Sequence, residues 1–234
     1  MTQISNKVYC ADFLTLLNIE TKFLPNPYYD YPYLIIENFI SNKGCKEINS
    51  LIKKDRDYQK AQVKIKENIT FSKTNESIRK TNIYKLNRKY LTIYKNSFKK
   101  NQALIEDYFK MAITKSTKVQ TLEYLKDFFY KMHSDDSSMI YKDDNLVGFL
   151  TVSNERKLSS VLFTTSYDEE ITDDTFTGGE LLFNYLYDEN NEQIKIKAKT
   201  GMMIIFPSNP FFTHEVLKVK EGRRISLVQW HNTL

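Results

Sequence analysis

The chain has 234 residues, of which 41% are hydrophobic and 14% aromatic, with a formal net charge of +5. That is enough apolar material for one sizeable core. No run of about 20 apolar residues offers a membrane-spanning helix, and the opening MTQISNKVYCADFLTLL lacks the basic-then-apolar pattern of a secretory signal.

Cys10 and Cys45 form no metal-binding spacing and no disulfide framework, so a cytoplasmic protein is the expectation. Charge is uneven. Residues 51–120 hold 18 Lys and Arg against 6 Asp and Glu, while the rest hold 16 against 23. The basic residues are scattered, with no recognisable nucleic-acid module, so a solvated surface is expected there rather than a nucleic-acid site.

In chain order, PYLIIENFISNKGCKEINSLIKK reads as a short strand, an N-cap at Ser41 and an amphipathic helix with Cys45, Ile48, Leu51 and Ile52 on its apolar face. Ile78 to Leu86 alternates like one strand, and YLTIYKNSFKKNQALIEDYFKMAI carries apolar residues at helical spacing. From Phe128 onward, short apolar runs are separated by turn signals: FFYKMH, LSSVLFTT, ELLFNYLY, IKIKA, GMMIIF, HEVLKV and RISLVQW. Gly178 and Gly179 permit the tight turn before ELLF. The segment Lys142 to Glu155 and the acidic stretch Asp168 to Thr175 are expected to be flexible loops. Seven or so strands with a helical flank predict a mostly β fold with helical support, a double-stranded β-helix or jelly-roll barrel with N-terminal helices. One domain is expected, with residues 1–118 as helical support and first strands and residues 119–234 as the barrel core.

Two of the three histidines fall in a pattern. His133, Asp135 and His214 offer two imidazoles and one carboxylate, a facial set that suits Fe(II) and leaves positions open for a chelating cosubstrate and O2. Residues two apart on an extended segment point to the same side, so His133 and Asp135 can converge on one ion. His214, 81 residues further on, must then come from a strand folded back over the first. His231, just past Trp230, is expected at the surface or lining a crevice. In GRRISLVQW, Arg224, Ser226, Val228 and Trp230 share one strand face, and Arg223, Ile225, Leu227 and Gln229 share the other.

Taken in order, Tyr124, Tyr130, the HSD tripeptide, the strand RKLSSVLF from Arg156, the turn TGGELLF, GMMIIFPSNPFFTHEVLKV and GRRISLVQW resemble the Fe(II)/2-oxoglutarate-dependent dioxygenases of the prolyl 4-hydroxylase-like superfamily, and most closely its PKHD-type branch. The resemblance covers roughly Tyr124 to Trp230, about half the chain. It implies that His133, Asp135 and His214 ligate iron. Arg224, six residues before Trp230, would pair with the distal carboxylate of 2-oxoglutarate, with Ser226 as a second donor, and Tyr124 and Tyr130 would line the site. The implied reaction couples oxidative decarboxylation of 2-oxoglutarate, with O2 and with room for ascorbate in support, to hydroxylation of an aliphatic C–H. Asp135 fills the position that related halogenases leave vacant. A peptidyl or protein residue such as proline is the expected substrate. The alternatives are a free amino acid or small biosynthetic intermediate and, from another class, a non-catalytic binding barrel. Oligomeric state is not legible. Two departures stand out. Where several relatives carry a tyrosine that assists the arginine, this chain has Phe163, leaving Thr164, Thr165 or Ser226 to supply a hydroxyl. The opening Arg156-Lys157-Leu158 is also one residue shorter than in the PKHD branch.

Overall fold

The computed structural model describes residues 1–17, 19, 29–55, 57–61, 63–66, 70–73 and 75–234, with the backbone alone for 63–66 and 70–73. Two antiparallel sheets face each other. One runs in the order Thr2–Ser5, Val8–Cys10, Leu181–Tyr187, His214–Val216, Phe129–His133, Arg79–Lys80. The other runs Leu34–Ile36, Met203–Pro207, Leu158–Phe163, Arg224–Thr233, Gln120–Tyr124, Asn82–Tyr84, Gln59–Lys60. From Gln120 onward the chain alternates between these sheets, which is how a double-stranded β-helix winds. The N-terminal part is woven in, since Val8–Cys10 pairs with Leu181–Tyr187 and Leu34–Ile36 with Met203–Pro207.

The near-continuous apolar strands are those buried on both faces. On one side Leu158, Leu162, Met203, Ile205, Ile225 and Leu227 pack against Cys45, Ile48 and Ile52 of the helix Asn42–Lys54 and against Tyr94, Phe98, Ile105 and Phe109 of the helix Arg88–Phe109. On the other side Val161, Phe163, Ile204, Phe206, Val228 and Trp230 meet Leu181, Phe183 and Val216 inside the barrel. Truncating a fully buried residue of this kind, such as Ile48, to alanine removes about 2–5 kcal/mol of stability. Ser41 caps the first of these helices by accepting from the Gly44 N–H at 3.2 Å. No helix among the described residues is long and apolar enough to cross a membrane.

Several expectations are corrected. Leu51 is 43% exposed and lies off the buried face of its helix. The single strand expected over Ile78 to Leu86 is two, Arg79–Lys80 and Asn82–Tyr84, each in a different sheet. HEVLKV likewise divides into His214–Val216 and part of Val219–Gly222. The loop expected from Lys142 to Glu155 is mostly a hairpin of Ser137–Lys142 against Asn145–Thr151. Asp143 and Asp144 close it with positive φ at both turn positions, the geometry that matches strand twist. The acidic stretch is pinned, because Asp174 accepts from the Asn49 amide at 2.9 Å and pairs with Lys53. His231 is fully buried. It stacks on Phe98 and hydrogen-bonds the Ser116 and Ser160 hydroxyls at 2.7 and 2.9 Å, and burial pushes its imidazole down to about 3.

Candidate metal centre and anion pocket

His133 and His214 are direct cross-strand partners, so the pairing of Phe129–His133 with His214–Val216 closes the 81-residue gap. Their ring centroids are 4.3 Å apart. Each Nδ1 faces a backbone carbonyl, Lys131 at 2.9 Å and Phe212 at 2.8 Å. A carbonyl only accepts, so the proton sits on Nδ1 and the Nε2 lone pair is free. Both Nε2 atoms point at Asp135, 3.8 Å from Oδ1 and 3.8 Å from Oδ2 respectively. One ligand atom from each of the three residues lies within 4.8 Å of the others.

Asp135 reaches this cluster by a route the strand argument did not supply. The strand ends at His133, and Asp135 sits in the bend that follows. Tertiary contacts aim it: the Arg156 guanidinium donates to its carbonyl at 3.0 Å, and the Ser159 hydroxyl donates to Oδ2 at 2.6 Å. Burial favours the protonated acid, but the two imidazoles and Ser159 outweigh it and hold the carboxyl below its usual range. Burial, with His214 adding to it, pushes the His133 imidazole down. A lowered imidazole at His133 and a lowered carboxyl at Asp135 both favour the deprotonated forms that a divalent metal requires of its ligands. Asp136 turns away and accepts from the Ser134 and Ser137 hydroxyls at 3.1 and 2.6 Å.

Arg224 opens the last strand opposite Tyr124 and is 1% exposed. Its guanidinium carbon lies 5.0 Å from the Tyr124 ring and 5.1 Å from the Phe163 ring. It donates to the Ser226 hydroxyl at 3.0 Å, while its Nε has no partner and no carboxylate pairs with it among the described residues. Burial accordingly pushes this guanidinium down to about 10. A buried cation without a counter-ion is costly, and the geometry fits an anion that enters the cavity. Gly179, at φ +65°, lets the turn pass so close that an added Cβ would lie 3.2 Å from the Arg224 Cδ. Arg223 points elsewhere and pairs with Glu123 at 3.0 Å.

Triad, Arg224, Ser226, Val228, Trp230, Tyr124 and Tyr130 all line one cavity of about 930 Å³. Tyr130 stacks on His133 at 3.6 Å. Of the three candidate hydroxyls, Thr164 donates to the Ile225 carbonyl and Thr165 accepts from the Ile225 N–H, which leaves Ser226 beside the arginine. Arg79, Ser159 and the contact of Arg156 with Asp135 were not foreseen. Arg79 gives no sequence signal, being one cation in a basic segment.

Residues 119–232 match the family model of the 2OG-Fe(II) oxygenase superfamily. No curated protein matches the chain in sequence. Among solved structures, a Pseudomonas putida prolyl-4-hydroxylase is 17% identical with a TM-score of 0.57, covering 86% of this chain and 91% of its own. A Trichoplax adhaerens prolyl hydroxylase, in complex with a hypoxia inducible factor oxygen degradation domain peptide fragment, is 18% identical with a TM-score of 0.59 over 86% and 83%. The viral collagen prolyl hydroxylase of Paramecium Bursaria Chlorella virus-1, in its 2OG complex, is 20% identical with a TM-score of 0.53 over 86% and 96%. The jelly roll, the match and the two-histidine, one-carboxylate cluster define a 2-oxoglutarate-dependent dioxygenase with Fe(II) and 2-oxoglutarate as its cofactors. Residues 119–232 form a 2OG-Fe(II) oxygenase domain, and the chain has the fold of the prolyl 4-hydroxylases.

Proposed function

We propose that His133, Asp135 and His214 hold the iron, that Arg224 with Ser226 receives the distal carboxylate of 2-oxoglutarate, and that the enzyme hydroxylates an aliphatic C–H of a peptidyl residue such as proline. The buried guanidinium of Arg224, without a counter-ion among the described residues and open to the cavity of the triad, carries this reading. The bound iron and cosubstrate supply oxidative decarboxylation, to succinate and CO2, coupled to hydroxylation. The protein's part is positioning. The two Nδ1 bonds fix the imidazoles, Ser159 and Arg156 fix Asp135, and the Tyr124 and Phe163 rings flank the Arg224 guanidinium. Burial raises Tyr130 to about 12, so its hydroxyl stays protonated beside the metal ligands. Residues 119–234 are assigned the catalytic core and residues 1–118 its support. A cytoplasmic location is part of the same proposal, resting on Cys10 and Cys45 being buried thiols.

A peptide substrate is supported by the breadth of the cavity and by the hairpin at its rim, which exposes Ile140, Tyr141 and Leu150. The peptide bound to the Trichoplax relative points the same way. A free amino acid is the second reading, favoured by guanidiniums beyond the one the cosubstrate requires. The test is iron content and succinate release of wild type beside His133→Ala and His214→Ala. About one iron per chain and succinate formation in wild type, both abolished in the variants, are expected. Unchanged iron in folded variants refutes the ligand assignment.

A further inference from the structure

We infer that the substrate carries a carboxylate, received by Arg79 and Arg156 at the iron cavity, an inference that rests on the function proposed above. Among the described residues, the charged side chains lining the cavity are Lys60, Arg79, Arg156, Arg224 and the single carboxylate of Asp135. Lys60 pairs with Glu76 at 3.4 Å, and Arg223 outside the cavity pairs with Glu123. Arg79 and Arg156 have no such partner among the described residues. Arg224 and the metal account for both carboxylates of the cosubstrate, and Asp135 offsets part of the metal's charge. Two positive charges are left over.

Both guanidiniums lie over aromatic rings. Arg79 is 8% exposed, its Nε has no hydrogen-bond partner, and its guanidinium carbon lies 4.4 Å from the centroid of the Tyr130 ring. Tyr130 in turn stacks on His133, so this cation sits one ring away from a metal ligand. Arg156 lies over the Trp230 ring at 4.1 Å, spends one N–H on the Asp135 carbonyl and keeps an unpartnered Nε. Both line the same cavity as the triad, with Arg79 over the Tyr130 ring and Arg156 over the Trp230 ring. A planar fork already ordered by stacking binds a carboxylate with little further loss of side-chain freedom. An uncharged internal peptide segment would offer these two cations only neutral carbonyl acceptors, whereas a carboxylate adds charge assistance and a bidentate fit.

The test uses protein loaded anaerobically with Fe(II) and 2-oxoglutarate and titrates it calorimetrically with a matched pair of probes, N-acetyl-L-proline and N-acetyl-L-prolinamide. The acid should bind at least about tenfold tighter than the amide, the share of one charge-assisted contact. In Arg79→Gln and Arg156→Gln that ratio should fall to within about threefold. Free L-proline and N-acetyl-Pro-Glu-amide form two further arms. Tightest binding of free proline assigns the carboxylate to a free amino acid, of N-acetylproline to a peptide C-terminus, and of the Pro-Glu probe to an acidic neighbouring residue. Acid and amide binding equally to wild type, or neither binding, overturns the inference whatever the variants do. Slow succinate release from the same loaded protein with no probe, once O2 is admitted, reports on the dioxygenase reading separately.

Discussion

Replacing Arg224 by methionine removes a buried charge while keeping much of the side chain's apolar volume. Burial lowers this guanidinium from its ordinary value to about 10, which corresponds to about 3 kcal/mol of unfavourable charge burial. A carboxylate docking on the fork offsets that desolvation and adds charge-assisted hydrogen bonds, so its loss should weaken 2-oxoglutarate by roughly a hundredfold or more. The same calculation has a second consequence. Without cosubstrate, Arg224→Met should melt no lower than wild type, because an unpaired buried charge is exchanged for an apolar side chain. Arg223→Met loses only its pair with the Glu123 carboxylate outside the cavity and should shift the half-saturating 2-oxoglutarate concentration less than threefold. The assay is succinate formation against 2-oxoglutarate concentration for the two variants side by side, with thermal melts with and without cosubstrate. A larger rise in half-saturation for Arg223→Met would show that the wrong arginine holds the anion, and a large drop in the cosubstrate-free melting temperature of Arg224→Met would show that its charge is already compensated.

Asp135→Gly should collapse hydroxylation while iron binding only weakens; full activity would remove the carboxylate from the ligand set. Ser159→Ala, which deletes the 2.6 Å bond to Asp135 Oδ2, should lower iron affinity about tenfold, measured by competition with a chelator. His231 is held neutral by burial, down to about 3. The unfolded chain therefore takes up this proton first as pH falls, and stability present above about pH 6.5 is lost towards pH 3, by roughly 3–5 kcal/mol when complete. His231→Gln should flatten the decline of melting temperature over that window, and an unaltered slope would contradict this. Gly179→Ala places a Cβ 2.9 Å from Val219 and 3.2 Å from the Arg224 Cδ at a positive φ. It should destabilise by about 1–3 kcal/mol and raise the half-saturating 2-oxoglutarate concentration; an unchanged value for the cosubstrate would mean the turn does not shape the pocket.

Much of the fold was legible because its signals are local. The cap at Ser41, the apolar stripe of Cys45, Ile48 and Ile52, and the period-two strands after Phe128 depend only on near neighbours in sequence. The inward face of Arg224, Ser226, Val228 and Trp230 follows from the pleat alone. The same parity puts His231 with Ile225 and Leu227 on the helix side, and reading the pleat one residue further would have buried it. Other features were set by contacts between segments far apart. Asp135 lies beyond the end of its strand, where alternation no longer fixes direction, and Ser159 and Arg156 aim it from 24 and 21 residues away. Arg79 looks like any other cation in a basic segment until the sheet lays it over Tyr130. The sequence by itself determined which side chains could bind metal and anion and which way the last strand faces, since residue chemistry and strand period are local properties. Only the tertiary structure decided that His133 stands opposite His214 and that, among the described residues, three arginines share one cavity with a single carboxylate, because strand pairing and desolvation are properties of the whole packed chain.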